Sequence, residues 1–188
     1  MTTEFLKGSN IYLVGMMGSG KSSIGKHLAR LVNYRFIDTD EVIVQANGKS
    51  INDLFAQQGE AVFRDIETQV LAGVTSYTRT VVATGGGMVI KQENWSYLQS
   101  GLVVWLNVPV NELVARLSRD TSRPLLKAGN LRQKLTTLLA QRQHRYAQAD
   151  VTVTYEPGGE VGDIAQRALA DLQTFVAENP ATSTTIDR

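Results

Sequence analysis

The chain has 188 residues, 43% of them hydrophobic and 20% charged, with a formal net charge of +1. That length fits a single domain with a substantial core, and the charge carries no block of one sign, so neither a nucleic-acid groove nor an anionic membrane surface is indicated. Cysteine is absent, which excludes disulfides, thiolate catalysis and cysteine-based metal sites.

No apolar stretch approaches membrane-span length, and the start, Met1-Thr-Thr-Glu-Phe-Leu-Lys7, lacks a signal-peptide core. A cytoplasmic enzyme with no membrane or nucleic-acid partner is the expectation. The first apolar run, Ile11 to Val14, reads as a strand, and a helix-like stretch covers Ser23 to Val32. Further strands are expected at Tyr34 to Ile37, Val81 to Ala83, Leu102 to Leu106 and Val151 to Thr154. Their nearly continuous apolarity suggests parallel strands covered on both faces. Ser50 is placed to cap a long helix that runs to about Tyr77, with a break at Gly59. Lys91 to Gln99, Pro109 to Arg119, Asn130 to Ala147 and Gly162 to Ala177 complete the helices, and residues 179–188 read as a polar, disordered tail. Strands alternating with helices imply crossover units and a three-layer α/β domain over residues 1–178.

Between the first strand and helix lies Gly15-Met-Met-Gly-Ser-Gly20-Lys21-Ser22, which fits G-x-x-x-x-G-K-[ST] at every fixed position. Glycines let the backbone wrap closely enough for its N–H groups to face phosphate oxygens, and the helix start adds partial positive charge. Lys21 can reach the outer phosphates and the Ser22 hydroxyl can ligate Mg²⁺, so a nucleoside triphosphate is the expected ligand. Asp38-Thr-Asp40 follows the second strand; a carboxylate there can meet Mg²⁺ or a substrate hydroxyl, or simply cap a helix. Gly85-Gly86-Gly87 follows the third strand, marking a backbone that adopts unusual dihedrals or lets another group approach closely, or else a plain flexible turn. Arg64 lies in Ala61-Val-Phe-Arg-Asp-Ile-Glu67, Arg123 in a polar, helix-breaking stretch, and Arg142 in Gln141-Arg-Gln-His-Arg-Tyr146.

Taken together, GMMGSGKS, DTD, FRDIE, GGG, RPLL and the late R-x-x-x-Y resemble the shikimate kinase family, in that family's order, from about Asn10 to Thr154. The resemblance implies a P-loop kinase fold of the nucleoside-monophosphate-kinase type, with a five-stranded parallel sheet ordered 2-3-1-4-5 and a lid at about 118–129. It implies transfer of the γ-phosphoryl group of ATP to the 3-hydroxyl of shikimate; a monomer is the expectation, although the sequence does not itself reveal the oligomeric state. Gly18, Ser19, Gly20, Lys21, Ser22 and Ser23 would hold the ATP phosphates, with Ser22 and Asp38 organising Mg²⁺. Asp40 would bind shikimate hydroxyls, Arg64 and Arg142 its carboxylate, and Gly86 a ring hydroxyl. Lys21, Asp40 and Arg123 would act in catalysis, Arg123 from the lid, while Arg116 would lie near the adenine. One departure is visible: where the family often has R-x-P-L-Y, this chain has Arg142-Gln-His-Arg-Tyr146, without the proline. The missing proline could loosen this segment and leaves both Arg142 and Arg145 open as the inward residue; the kept spacing to Tyr146 favours Arg142.

Competing readings are another small-molecule kinase of this architecture, such as a gluconate or nucleoside-monophosphate kinase, or a nucleotide-binding regulator without catalysis. No N-K-x-D motif that would read guanine occurs.

Overall fold

A computed structural model describes residues 3–118 and 130–180. Five parallel strands, β1 (Ile11–Val14), β2 (Arg35–Asp38), β3 (Thr80–Ala83), β4 (Leu102–Asn107) and β5 (Val151–Thr154), form one sheet in the order β2-β3-β1-β4-β5. Seven α-helices accompany them among the described residues: α1 (Lys21–Val32), α2 (Thr39–Asn47), α3 (Ile51–Val74), α4 (Gln92–Leu98), α5 (Val110–Leu117), α6 (Leu131–Tyr146) and α7 (Val161–Glu178).

Alternate residues of each central strand feed different cores, because successive side chains leave a strand on opposite faces. Ile11 and Leu13 pack with Val81 and Val104 against α1 and α7, through Ile24, Leu28, Ala168 and Leu172. Tyr12 and Val14 pack with Val82 and Trp105 against Leu71, Trp95, Leu113, Leu135 and Tyr146 of α3 to α6. A smaller cluster of Ile43, Leu54 and Phe63 joins α2 to α3. The central strands β1 and β3 are buried at every position, as their unbroken apolarity requires. The outer strands differ: β5 alternates buried and exposed residues, and β2 exposes Arg35 while half-burying the rest. An edge strand has no neighbour to cover its outer side, so two-sided burial holds only at the centre.

The expected elements are present with small shifts. Strand β2 begins at Arg35 and ends on Asp38, α1 starts at Lys21, and α3 stops at Val74 rather than near Tyr77. Ser50 caps α3 by accepting from the Asp53 N–H at 3.1 Å, and Gly59, with φ 80° and ψ 171°, interrupts the helix. Helix α2 is foreshadowed only by the capping alternative at Asp38 and Asp40. It begins at once behind the Asp38 cap and buries only Thr39 and Ile43, too few for a clear helical period. Residues 119–129 of the expected lid and 181–188 of the expected tail lie outside the described residues.

Tyr146 ends α6 with its ring fully buried, stacked on Trp105 with centroids 5.8 Å apart, and its hydroxyl donates to the Gly86 carbonyl at 2.7 Å. Burial raises the phenol pKa above 10.0, against the pull of Arg142. A raised folded-state value means that this group's stabilisation is complete below pH 10.0 and is lost as pH climbs through the folded value. Tyr146→Phe should therefore cost about 1 kcal/mol near neutral pH, roughly 2–4 °C in Tm, from the lost hydrogen bond. In thermal melts taken above about pH 10 the gap should narrow, since only the wild type then carries the ionisation penalty.

Candidate active site

The loop between β1 and α1 wraps around its own lysine. The Lys21 ammonium is buried and donates to the carbonyls of Gly15 and Met16, both at 2.9 Å, and to Ser19 Oγ at 3.5 Å. Gly20 caps α1 in the left-handed region, at φ 94°, which a side chain would resist. A Cβ on Gly15 would meet the Leu106 carbonyl oxygen at 2.8 Å, so the loop lies directly on the end of β4. Ser22 and Ser23 occupy the first turn of α1, Ser22 half-buried and Ser23 exposed, at the end of a helix that carries partial positive charge.

Asp38 is engaged through both of its carboxylate oxygens. Oδ1 accepts from the Asp40 N–H at 3.0 Å, capping α2, and Oδ2 accepts from the Ser22 hydroxyl at 2.5 Å. A hydroxyl and a carboxylate in contact beside the phosphate loop are hard oxygen donors of the kind that suits Mg²⁺. Among the described residues no group of three or more acidic or histidine side chains forms a metal cage, so an ion here would draw its other ligands from phosphate and water.

The three glycines after β3 each face a different charged group. A Cβ on Gly85 would lie 2.6 Å from Glu67 Oε1 and 2.8 Å from Asp40 Oδ1. A Cβ on Gly87 would collide with the Arg64 guanidinium. Gly86, between them, is half-buried, and its carbonyl accepts from Arg142 Nη1 at 3.2 Å as well as from Tyr146. The Gly85 N–H donates to the buried Thr39 hydroxyl at 3.0 Å, tying this turn to the start of α2. Asp40, Arg64 and Arg142 therefore gather at one glycine-lined spot. Arg145 does not: its Nη1 reaches Gln92 Oε1 at 3.5 Å, on the outer side. The missing proline leaves α6 unbroken through Tyr146, so Arg142 and Tyr146 share one helix face four residues apart.

Arg64 is held on several sides. Nη1 donates to Glu67 at 2.5 Å, Nε and Nη2 to Glu60 at 3.2 and 2.9 Å, and the guanidinium lies 5.5 Å from the ring centres of Phe55 and Phe63. Burial opposes the Arg64 cation, but Glu67 and Glu60 outweigh it and keep its pKa above the usual value. Burial pushes the Glu67 carboxyl above the usual carboxylate range; Arg64 and Arg142 pull it back, and Asp40 adds to the rise. Glu67 ends the FRDIE segment, and the sequence alone assigns it no role. Its three-residue spacing from Arg64 on a helix was the available signal, but its burial is a tertiary fact.

Arg116, on α5, donates from Nη1 to the Gly18 carbonyl at 3.2 Å and from Nε to Glu112 at 2.9 Å. It therefore touches the phosphate loop, a contact that the expected place near the adenine did not include. Arg123 lies outside the described residues.

The shikimate kinase family model matches residues 17–173. A shikimate kinase from Nostoc sp. is 55% identical over 176 residues, 94% of this chain and 97% of the relative, and one from Rippkaea orientalis is 51% identical over 93% of this chain and 94% of its own. A solved shikimate kinase from Acinetobacter baumannii, in complex with shikimate, superposes with a TM-score of 0.85 at 39% identity, covering 94% of this chain and 97% of that one. With a five-stranded order, a phosphate loop and a glycine turn matched over nearly the whole chain, this protein belongs to the shikimate kinase family.

Proposed function

We propose that this chain transfers the γ-phosphoryl group of ATP to the 3-hydroxyl of shikimate, as a cytoplasmic monomer, using the residues gathered around Gly15 to Ser22 and Gly85 to Gly87. The observation that carries this reading is the alignment of Asp40, Arg142 and Arg64 along three consecutive glycines, next to a phosphate loop. Shikimate is a small hydroxylated carboxylate. Two guanidinium groups fit its carboxylate by paired hydrogen bonds, and a nearby aspartate accepts from a ring hydroxyl.

In the transfer, the shikimate hydroxyl oxygen forms the new bond to the γ-phosphorus while the bond to the bridging β,γ-oxygen breaks and ADP leaves. Such reactions need little covalent help, so positioning and charge stabilisation dominate. The Lys21 ammonium would turn from the loop carbonyls to the β- and γ-phosphate oxygens, while the amides at the start of α1 hold the rest of the chain of phosphates. Ser22 and Asp38 would hold Mg²⁺, which when bound supplies charge neutralisation to the phosphates. Asp40 orients the attacking hydroxyl and accepts its proton. Arg64 and Arg142 hold the ring in place, and Glu67 holds Arg64 in its turn. The half-buried Gly86 backbone is the part of the turn that a ring hydroxyl can reach.

A coupled assay of ADP release with MgATP tests the reading: turnover should require shikimate and should not be supported by gluconate or nucleoside monophosphates. ADP release equally supported by either of those acceptors would overturn the assignment. Lys21→Ala should abolish turnover. Arg142→Ala should raise the KM for shikimate by roughly thirtyfold or more, since a charged pair of this kind contributes about 2–5 kcal/mol, and should leave the KM for ATP nearly unchanged. A loss confined to ATP would remove Arg142 from the carboxylate site. Gly85→Ala forces a methyl against two carboxylates, an overpacking cost of about 1–3 kcal/mol. Its kcat/KM for shikimate should fall about tenfold, measured against an intact ATP affinity.

A further inference from the structure

The end of β5 faces the phosphate loop across a narrow cleft lined by Ser19, Arg116, Thr154, Tyr155 and Ile164. Tyr155 carries no role in any motif described above. Its ring lies under the Arg116 guanidinium, 4.9 Å from Cζ to the ring centre, within the range of a cation–π contact. Glu112 and the Gly18 carbonyl occupy the edge of the same guanidinium, so its plane is fixed from two directions.

The tyrosine is itself anchored. Its backbone N–H donates to the Asn107 carbonyl at 3.0 Å, continuing the ladder between β5 and β4. Arg167 of α7 grips the preceding residue, donating from Nη2 to the Thr154 carbonyl at 3.0 Å, and pairs with Glu156 on the other side. The Arg116 side chain nevertheless remains 32% exposed, so part of it still faces the cleft.

We infer that Tyr155 is a positioning residue for the nucleotide: its ring supports one face of the Arg116 guanidinium and thereby presents the other to a purine base. This rests on the ATP-binding reading above. A guanidinium stacks on a flat base only when its plane is held parallel to it, and a long arginine side chain otherwise spends rotamer freedom to reach that pose. An aromatic support on one face and two hydrogen bonds on the edge remove that freedom in advance. The hydroxyl of Tyr155 has no part in the effect; the ring face does.

The test uses the full chain and three variants. Tyr155→Leu and Tyr155→Ala should raise the Kd for ATP by about 3- to 30-fold, the range of one cation–π contact. Tyr155→Phe should restore the wild-type value. The KM for shikimate, the melting temperature of Tyr155→Leu, and inhibition by inorganic tripolyphosphate, which has no base, should stay within about twofold or a few degrees of wild type. Tyr155→Leu keeps most of the packing volume, so it decides the matter if the alanine variant does not fold. An unchanged ATP affinity in Tyr155→Leu overturns the inference. So does an equal loss for ATP, tripolyphosphate and shikimate, which would mark a packing residue only. If the wild type itself bound no ATP, the underlying kinase reading would fail instead, and the two failures are distinct.

Discussion

The site depends on the parallel pairing of β1 with β3. Ile11 lies opposite Val81, Tyr12 opposite Val82 and Leu13 opposite Ala83, so the two strands end at the same level. The phosphate loop leaves one and the glycine turn leaves the other, side by side. The contact is close enough that a Cβ on Gly86 would lie 3.2 Å from the Met17 nitrogen. A parallel sheet sends its ligands to the carboxyl ends of its strands, where the chain changes direction between neighbours. Here the change occurs at β1, since β2 and β3 lie on one side and β4 and β5 on the other.

Charge is then brought to that point from four helices. Asp40 comes from α2, Arg64 and Glu67 from α3, Arg142 from α6 and Arg116 from α5. Placing several charges in partly buried surroundings is costly unless they are paired, because each loses hydration. The arrangement answers this with alternation: the Glu67 carboxylate is nearly inaccessible, yet Arg64 touches it at 2.5 Å and Arg142 acts on it from α6. The glycines make the alternation possible, since any side chain at Gly85 or Gly87 would occupy the space that carboxylates and guanidinium now share. Glycine at these two positions is explained by what surrounds it rather than by its backbone angles.

Much of this was legible in the sequence, for identifiable reasons. The phosphate loop is read from contiguous residues whose chemistry is local, and the central strands from apolar runs that only two-sided burial explains. The edge strands carry weaker patterns, and β2 was displaced by one residue because Tyr34 continues the apolar run without joining the ladder. Helix α2 was illegible because it is nine residues long and mostly exposed. Glu67 and Tyr155 escaped for another reason. Their significance lies in partners distant in the chain, Arg142 and Asp40 for one and Arg116 for the other, and no single-sequence spacing encodes such contacts. For Asp38 the sequence leaves cap and metal ligand open; the geometry makes Oδ1 the cap of α2 and sets Oδ2 against the Ser22 hydroxyl.

The segment that departs from the family pattern shows how such a site tolerates change. Arg142 and Tyr146 stand four residues apart on α6, and both donate to the same carbonyl, that of Gly86. What the site requires of this helix is that spacing, together with a buried ring beneath it. Neither depends on a proline between them. With Gln143, His144 and Arg145 in the intervening positions the helix runs unbroken to Tyr146, and Arg145 is turned aside toward Gln92. Helical periodicity thus separates the two arginines: a residue one position before Tyr146 is rotated by about 100° from it, whereas one four positions before it returns to the same face. The inward arginine is selected by its phase relative to an anchored tyrosine, so a substitution between them is permitted as long as that phase is kept.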